Sequence, residues 1–113
     1  MSKIAFIFPG QGAQTCGMGK DFYEQTETGR KVFDKATELL VFSVPELCFE
    51  PNDRLDITEY TQAAMVTTSI AMMKVLEENG VKPDVAAGLS LGEYCALAAA
   101  RVMSEEDAIT TVR

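Results

Sequence analysis

The first apolar run, Ile4-Ala5-Phe6-Ile7-Phe8, has no polar interruption and is rich in branched and aromatic residues. Such a run predicts a strand buried on both faces, as in parallel sheets. Pro9-Gly10-Gln11-Gly12-Ala13-Gln14 stops it in a Gly-rich turn, and Gly17 and Gly19 prolong the irregular stretch. Val32, Phe33, Ala36, Leu39 and Leu40 then recur at helical spacing, predicting a helix from Arg30 to Leu40 with Thr28 as its cap. Residues 42–56 carry Pro45 and Pro51 and read as loop with one short helix. Thr58 or Thr61 opens a long, mostly buried helix marked by Ala64, Met65, Ile70, Met73 and Leu76. It runs to about Asn79, where Gly80 suits the C-terminal cap and Pro83 keeps it from resuming.

Val85-Ala86-Ala87 predicts a second strand, and Glu93 to Ala100 an alanine-rich helix. Ser104 is a natural N-cap for a last helix, with Glu105, Glu106 and Asp107 at the positive end of its dipole and Asp107 completing a capping box. That helix has a start signal and no stop signal by Arg113. Two strands are also too few for an independent parallel sheet. The pattern therefore reads as α/β, and residues 1–113 are expected to be the N-terminal, truncated part of one longer catalytic domain.

Composition narrows the classes. The chain has 113 residues, 47% of them hydrophobic, enough for a core. Its apolar runs fall far short of the roughly 18 residues of a membrane span. Met1-Ser2-Lys3 and the short run after it do not make a signal peptide, so a cytoplasmic location is expected. The net charge of -7 argues against nucleic acid and anionic membrane as partners. Three scattered cysteines, Cys16, Cys48 and Cys95, with no CxxC, read as free thiols and give neither a disulfide framework nor a metal site. There is no histidine, so no mechanism that needs an imidazole base is complete within these residues.

The chemistry concentrates in Gly88-Leu89-Ser90-Leu91-Gly92, which matches the nucleophile elbow G-x-S-x-G. In that motif a serine sits on a strained strand-to-helix turn. The glycines two before and two after it let neighbouring backbone pass without Cβ clashes, and the hydroxyl stands exposed above the sheet. The N–H of Leu91 points to where an oxyanion forms, and the helix N-terminus adds positive partial charge. The plainer alternative is a Gly-rich turn in which Ser90 only caps a helix. Gly10-Gln11-Gly12 is not a dinucleotide loop, because Thr15 stands where a third glycine is needed, and no G-K-[ST] follows for a Walker loop. It reads instead as a tight loop at the ligand-binding edge of an α/β sheet, where the elbow fold takes its second oxyanion donor. Cys95 reads as a small buried hydrophobe and Glu93 as support for the helix dipole. Met72 and Met73 read as core filler, and Gln62 either lines the pocket or caps its helix.

Three stretches together resemble the malonyl-CoA:acyl-carrier-protein transacylases. Phe8-Pro9-Gly10-Gln11-Gly12-Ala13-Gln14 with Gly17-Met18-Gly19 resembles the family's opening, Thr61-Gln62-Ala63-Ala64 its T-Q-P-A segment, and Gly88-Leu89-Ser90-Leu91-Gly92-Glu93 its G-H-S-x-G-E motif. They occur in the family's order and span nearly the whole chain. The resemblance implies an α/β-hydrolase-like parallel-sheet acyltransferase domain, incomplete in this chain. It implies transfer of malonyl from coenzyme A to the phosphopantetheine thiol of acyl carrier protein, as part of fatty-acid biosynthesis. The coenzyme A thioester is a substrate, and no cofactor is bound. Ser90 would carry the acyl group as an ester, with the amides of Gln11 and Leu91 as oxyanion hole and Gln62 and Leu89 at the substrate pocket. The family's histidine base and its carboxylate-binding arginine would lie beyond Arg113. Leu89 departs from the family's histidine and is expected to alter the pocket wall. Ala63 replaces a proline, and Arg101 stands where a glycine is expected to end the elbow helix. A serine esterase or thioesterase with the same elbow, and a non-catalytic truncated product, are the alternatives. The 113 residues alone are expected to be inactive or nearly so.

Overall fold

The computed structural model describes residues 4–10, 12, 14–40, 42–50, 55, 58–81, 83, 85–88, 92–99 and 103–111. Their order is β1 (Ala5–Phe8), α1 (Lys20–Gln25), α2 (Glu27–Leu40), α3 (Val44–Phe49), α4 (Thr58–Glu78), β2 (Val85–Gly88), α5 (Gly92–Ala99) and α6 (Glu105–Thr111). The helices α2 and α4 form the main packed pair, with α6 against both and α5 lying against α4 and both strands.

The middle of α4 is buried nearly all round, as in a central helix, with Thr61, Thr67 and Thr68 buried among apolar residues. Ala63, Ala64, Val66, Ile70 and Ala71 have no exposed surface. The buried Thr61 hydroxyl donates to the Leu55 carbonyl, tying down the entry to the helix. Against α4 sits the inward stripe of α2, with Val32, Phe33, Ala36 and Leu40 buried. Tyr23, Phe33 and Phe49 place one ring from each of α1, α2 and α3 in a single cluster, with centroids 5.2–5.8 Å apart. Tilted and edge-on pairs at such separations add about 0.5–1.5 kcal/mol each beyond the area they bury. α4 ends where Gly80 turns at φ 86°, a left-handed position suited to glycine.

β1 and β2 form a two-stranded parallel sheet with Ala5 opposite Val85 and Phe8 opposite Gly88. Here the expectation of a strand buried on both faces needs correction. Phe6 and Phe8 turn into the core, whereas Ala5 and Ile7 face outward and Ile7 is 79% exposed. None of the described elements covers that face, so the continuous apolar run alternates in burial.

Two helix starts also differ from the sequence reading. α1 occupies residues to which the sequence reading gave no element, and α2 begins at Glu27 rather than Arg30. The cap of α2 is Thr26, whose hydroxyl accepts from the Gly29 N–H at 3.0 Å, while the Thr28 hydroxyl instead donates to Glu78 on α4. The short helix expected in 42–56 is α3, capped by Ser43, which accepts from the Glu46 N–H at 3.3 Å. Ser104 caps α6 as expected, accepting from the Asp107 N–H at 3.1 Å. Arg101, where a departure from the family's glycine was noted, lies outside the described residues.

Candidate active site

Parallel pairing in register makes both strands end together, Phe8 beside Gly88. The segments that follow β1 and β2 in sequence therefore start from the same edge of the sheet. That is the carboxyl edge, where α/β sheets build their sites. Ser90, Leu89, Leu91 and Gln11 lie outside the described residues, so the geometry here is that of the frame around them. Strand before and helix after is the arrangement that the elbow motif requires, and β2 and α5 supply it.

Gly92 makes that frame tight. A Cβ built on it would collide with the Phe8 carbonyl oxygen and come within 2.8 Å of the Phe8 carbonyl carbon and 2.9 Å of the Pro9 carbonyl oxygen. The second glycine of G-x-S-x-G thus serves cross-strand packing. It lets the first turn of α5 close onto the end of β1. Composition and motif spacing alone assign this glycine to the elbow, whereas the contact it makes is with the neighbouring strand.

α5 is held from behind by Cys95 and Ala98, both buried. The Cys95 Sγ lies 4.0 Å from the Val66 carbonyl of α4. Burial pushes the Cys95 thiol up from 9.0 to about 12, and a hydrogen bond with Ser69 pulls the other way. Burial likewise raises Cys48 to about 11, opposed by its contact with Thr68. Neither is a nucleophile at neutral pH, because the thiolate is the reactive form. Cys95 is the buried hydrophobe that the sequence suggested. Of the three cysteines, Cys16 alone is exposed.

The loop after β1 is anchored at its far end, where the Gly17 N–H donates to the Cys48 carbonyl at 2.7 Å and the Cys16 thiol reaches the Phe49 carbonyl at 3.6 Å. Inside it, Gly12 has φ 111° and gives its N–H to the Gln14 side-chain oxygen at 2.7 Å. Gln62 is half-buried in the second turn of α4, one turn before Val66 and hence on the half of α4 that meets α5.

Two grooves are open among the described residues. The larger, about 570 Å³, runs between α2, α4 and α6 and is lined by Lys31, Lys35, Lys74, Glu77, Glu78 and Glu106 with an apolar floor. It lies toward the end of α4 that hands the chain to the start of β2, away from the carboxyl edge. Its charges balance, with Lys35 and Glu106 paired at 3.9 Å. The smaller, about 410 Å³, follows β1 from Ala5 to Pro9 and is bounded by Met65, Ser69 and Met72 of α4. Met73 is buried as core filler, whereas Met72 lines this groove. No group of metal-ligating side chains occurs among the described residues. Nor is any described helix long and apolar enough to cross a membrane.

Residues 5–113 match the family described as "Acyl transferase domain". The chain is 50% identical over its whole length to "Malonyl CoA-acyl carrier protein transacylase" of Bacillus subtilis (strain 168), covering 36% of that protein. It superimposes with a TM-score of 0.94 on the crystal structure of malonyl CoA-acyl carrier protein transacylase from Clostridium perfringens, at 43% identity, over 98% of this chain and 35% of that one. A type II PKS acyl-carrier protein in complex with its malonyl-transacylase is matched at TM-score 0.91 and 37% identity, over 98% of this chain and 37% of that one. The chain thus spans about a third of the length of these relatives.

Proposed function

This chain belongs to the acyl transferase domain family, and from that premise we propose that its parent protein transfers malonyl from coenzyme A to the phosphopantetheine thiol of acyl carrier protein. The observation that carries the proposal is the shared edge, with Phe8 and Gly88 in register and Gly92 closed onto the Phe8 and Pro9 carbonyls. In sequence, Gln11 follows the end of β1 and Ser90 the end of β2, which supports reading the two as one site. The relatives' names supply the acyl group and the acceptor.

In this reading the Ser90 hydroxyl attacks the malonyl thioester carbonyl. The carbonyl oxygen takes up negative charge, and the amides of Gln11 and Leu91 stabilise it. The carbon–sulfur bond breaks, coenzyme A leaves as the thiol, and malonyl remains as a seryl ester. The carrier-protein thiol then attacks that ester, breaks the carbon–oxygen bond and restores the Ser90 hydroxyl. Dividing the transfer in this way gives ping-pong kinetics. The proton removed from Ser90 and returned to the leaving thiol passes through a histidine in this reading, and these 113 residues contain none. A histidine and the arginine that grips the malonyl carboxylate come from the rest of the parent, with residues 1–113 forming the N-terminal part of a single catalytic domain. Leu89 and Gln62 border the acyl pocket. The thioester is a substrate and no cofactor is required. A cytoplasmic enzyme of fatty-acid synthesis fits this reading.

Intact-mass spectrometry tests it. The parent mixed with malonyl-CoA should gain one malonyl group on Ser90, lose that gain in Ser90→Ala, and discharge it onto carrier protein bearing phosphopantetheine. Release of the acyl group to water at a comparable rate would make the protein a thioesterase instead. The absence of any adduct would reduce Ser90 to a helix cap. The 113 residues alone should turn over at background rate.

A further inference from the structure

The loop between β1 and α1 is fixed at both ends, by the strand at Phe8 and by the Gly17 N–H on the Cys48 carbonyl at 2.7 Å. Between these points it is rich in glycine, which leaves its backbone more conformations than any other residue would. A contact between two of its described residues restrains the middle. The Gln14 side-chain oxygen accepts from the Gly12 N–H at 2.7 Å, reaching back two residues. A polar side chain that bonds nearby backbone in this way offers a turn its own closure. Gly12 sits at φ 111°, which few side-chain-bearing residues adopt, and a Cβ there would meet nothing within 4 Å. Glycine is therefore required for its angle and not for space.

We propose that Gln14 is a positioning residue for acyl transfer, holding the loop so that the neighbouring Gln11 amide faces the developing oxyanion. The inference rests on the reading that Gln11 supplies an oxyanion donor. Two physical points support it. The Gly12 N–H and the Gln11 carbonyl belong to one planar peptide, so fixing the direction of one fixes the other. Only the two soft dihedrals of Gln11 then separate this plane from the one bearing the Gln11 N–H. In addition, the bond takes the Gly12 amide out of the set of donors that the loop can turn toward substrate. Gln14 acts through the backbone and touches no reacting atom.

The test compares Gln14→Leu, which removes the accepting oxygen at similar size, with Gln14→Glu, which keeps one, in the full-length parent. Two quantities are read. The first is the pre-steady-state rate of Ser90 acylation by malonyl-CoA. The second is hydrogen–deuterium exchange, on the millisecond to second scale, of the peptide spanning residues 9–15. Gln14→Leu should speed exchange in that peptide and slow acylation at least tenfold, short of the roughly 100-fold or more that loss of an oxyanion donor costs. Its KM for malonyl-CoA should stay within about twofold, because the interaction lost is one made mainly in the transition state. Gln14→Glu should recover most of the rate. Unchanged exchange in Gln14→Leu would overturn the pinning and leave the oxyanion reading standing. Faster exchange with an unchanged acylation rate would overturn the positioning role. Equal losses in Leu and Glu would overturn the role of the accepting oxygen.

Discussion

Along α4, most residues from Thr61 to Ala71 are buried, with Val66 and Ile70 wholly so; along β1, alternate residues look outward and Ile7 is 79% exposed. β1 is apolar throughout, whereas this part of α4 buries Thr61, Thr67 and Thr68 among its apolar residues. They differ in what each needs to be complete. A helix satisfies its interior backbone groups within itself and asks its neighbours only for side-chain packing. A strand leaves its N–H and C=O groups to adjoining strands and presents two faces to be covered. α2, α3, α5 and α6 meet the first demand around α4. Among the described residues a single partner strand meets half of the second, so the helical side is a closed core while one face of the sheet and the outer edge of β1 are left without a described element over them.

The largest effect should fall on the closed side. Phe33→Ala removes a fully buried ring shared with Tyr23 and Phe49. Urea denaturation should show a loss of about 3–5 kcal/mol, and a loss below 1 kcal/mol would mean that the helical core is not the stable half. Next comes the junction between the two regions. Gly92→Ala drives a methyl group into the Phe8 carbonyl and must part α5 from β1. A stability cost of about 1–3 kcal/mol is expected, with a fall in Ser90 acylation that Phe33→Ala, far from the edge, should not mimic in the fraction still folded.

Alkaline pH tests the helical core and the elbow helix together. Cys48 and Cys95 have their pKa values raised from 9.0 to about 11 and about 12, so the folded state keeps protons that the unfolded chain gives up. Their stabilising contribution is whole below pH 9 and declines as pH rises toward those values. By pH 10 each thiol should have cost on the order of 1 kcal/mol, an effect that Cys48→Ala and Cys95→Ala should each reduce in a plot of unfolding free energy against pH. At neutral pH a thiol reagent should modify Cys16 alone until denaturant is added. The smallest effect belongs to the open face. Ile7→Thr in the 113-residue chain should change stability by less than about 0.5 kcal/mol and improve solubility. A larger loss in the parent than in this chain would show that the rest of the protein covers that face.

The elements themselves were readable because their signals are local. The apolar run of β1, the cap at Ser104, the period of α2 and the Gly80 stop on α4 each lie within a few residues of the feature they specify. The candidate edge was readable for the same reason, since Gly10-Gln11-Gly12 and Gly88-x-Ser90-x-Gly92 each follow a strand signal. α1 was not read, because Gly17 and Gly19 mask its start, although Lys20 and Glu24 at i,i+4 are paired at 3.9 Å.

What the sequence by itself determined is therefore the order of the elements other than α1, with a strand signal before and a helix signal after Gly88-x-Ser90-x-Gly92. Only the tertiary structure decided that Phe8 and Gly88 finish side by side, that Gly92 must be bare because a carbonyl of β1 lies against it, and that one face of an apolar strand stays open. It also decided that the Gln14 side chain turns back onto the Gly12 amide. The physical reason is distance along the chain. Caps, turns and periodicity act among near neighbours, whereas register and burial on a given face are set by segments some 80 residues apart, and no short window of sequence records them.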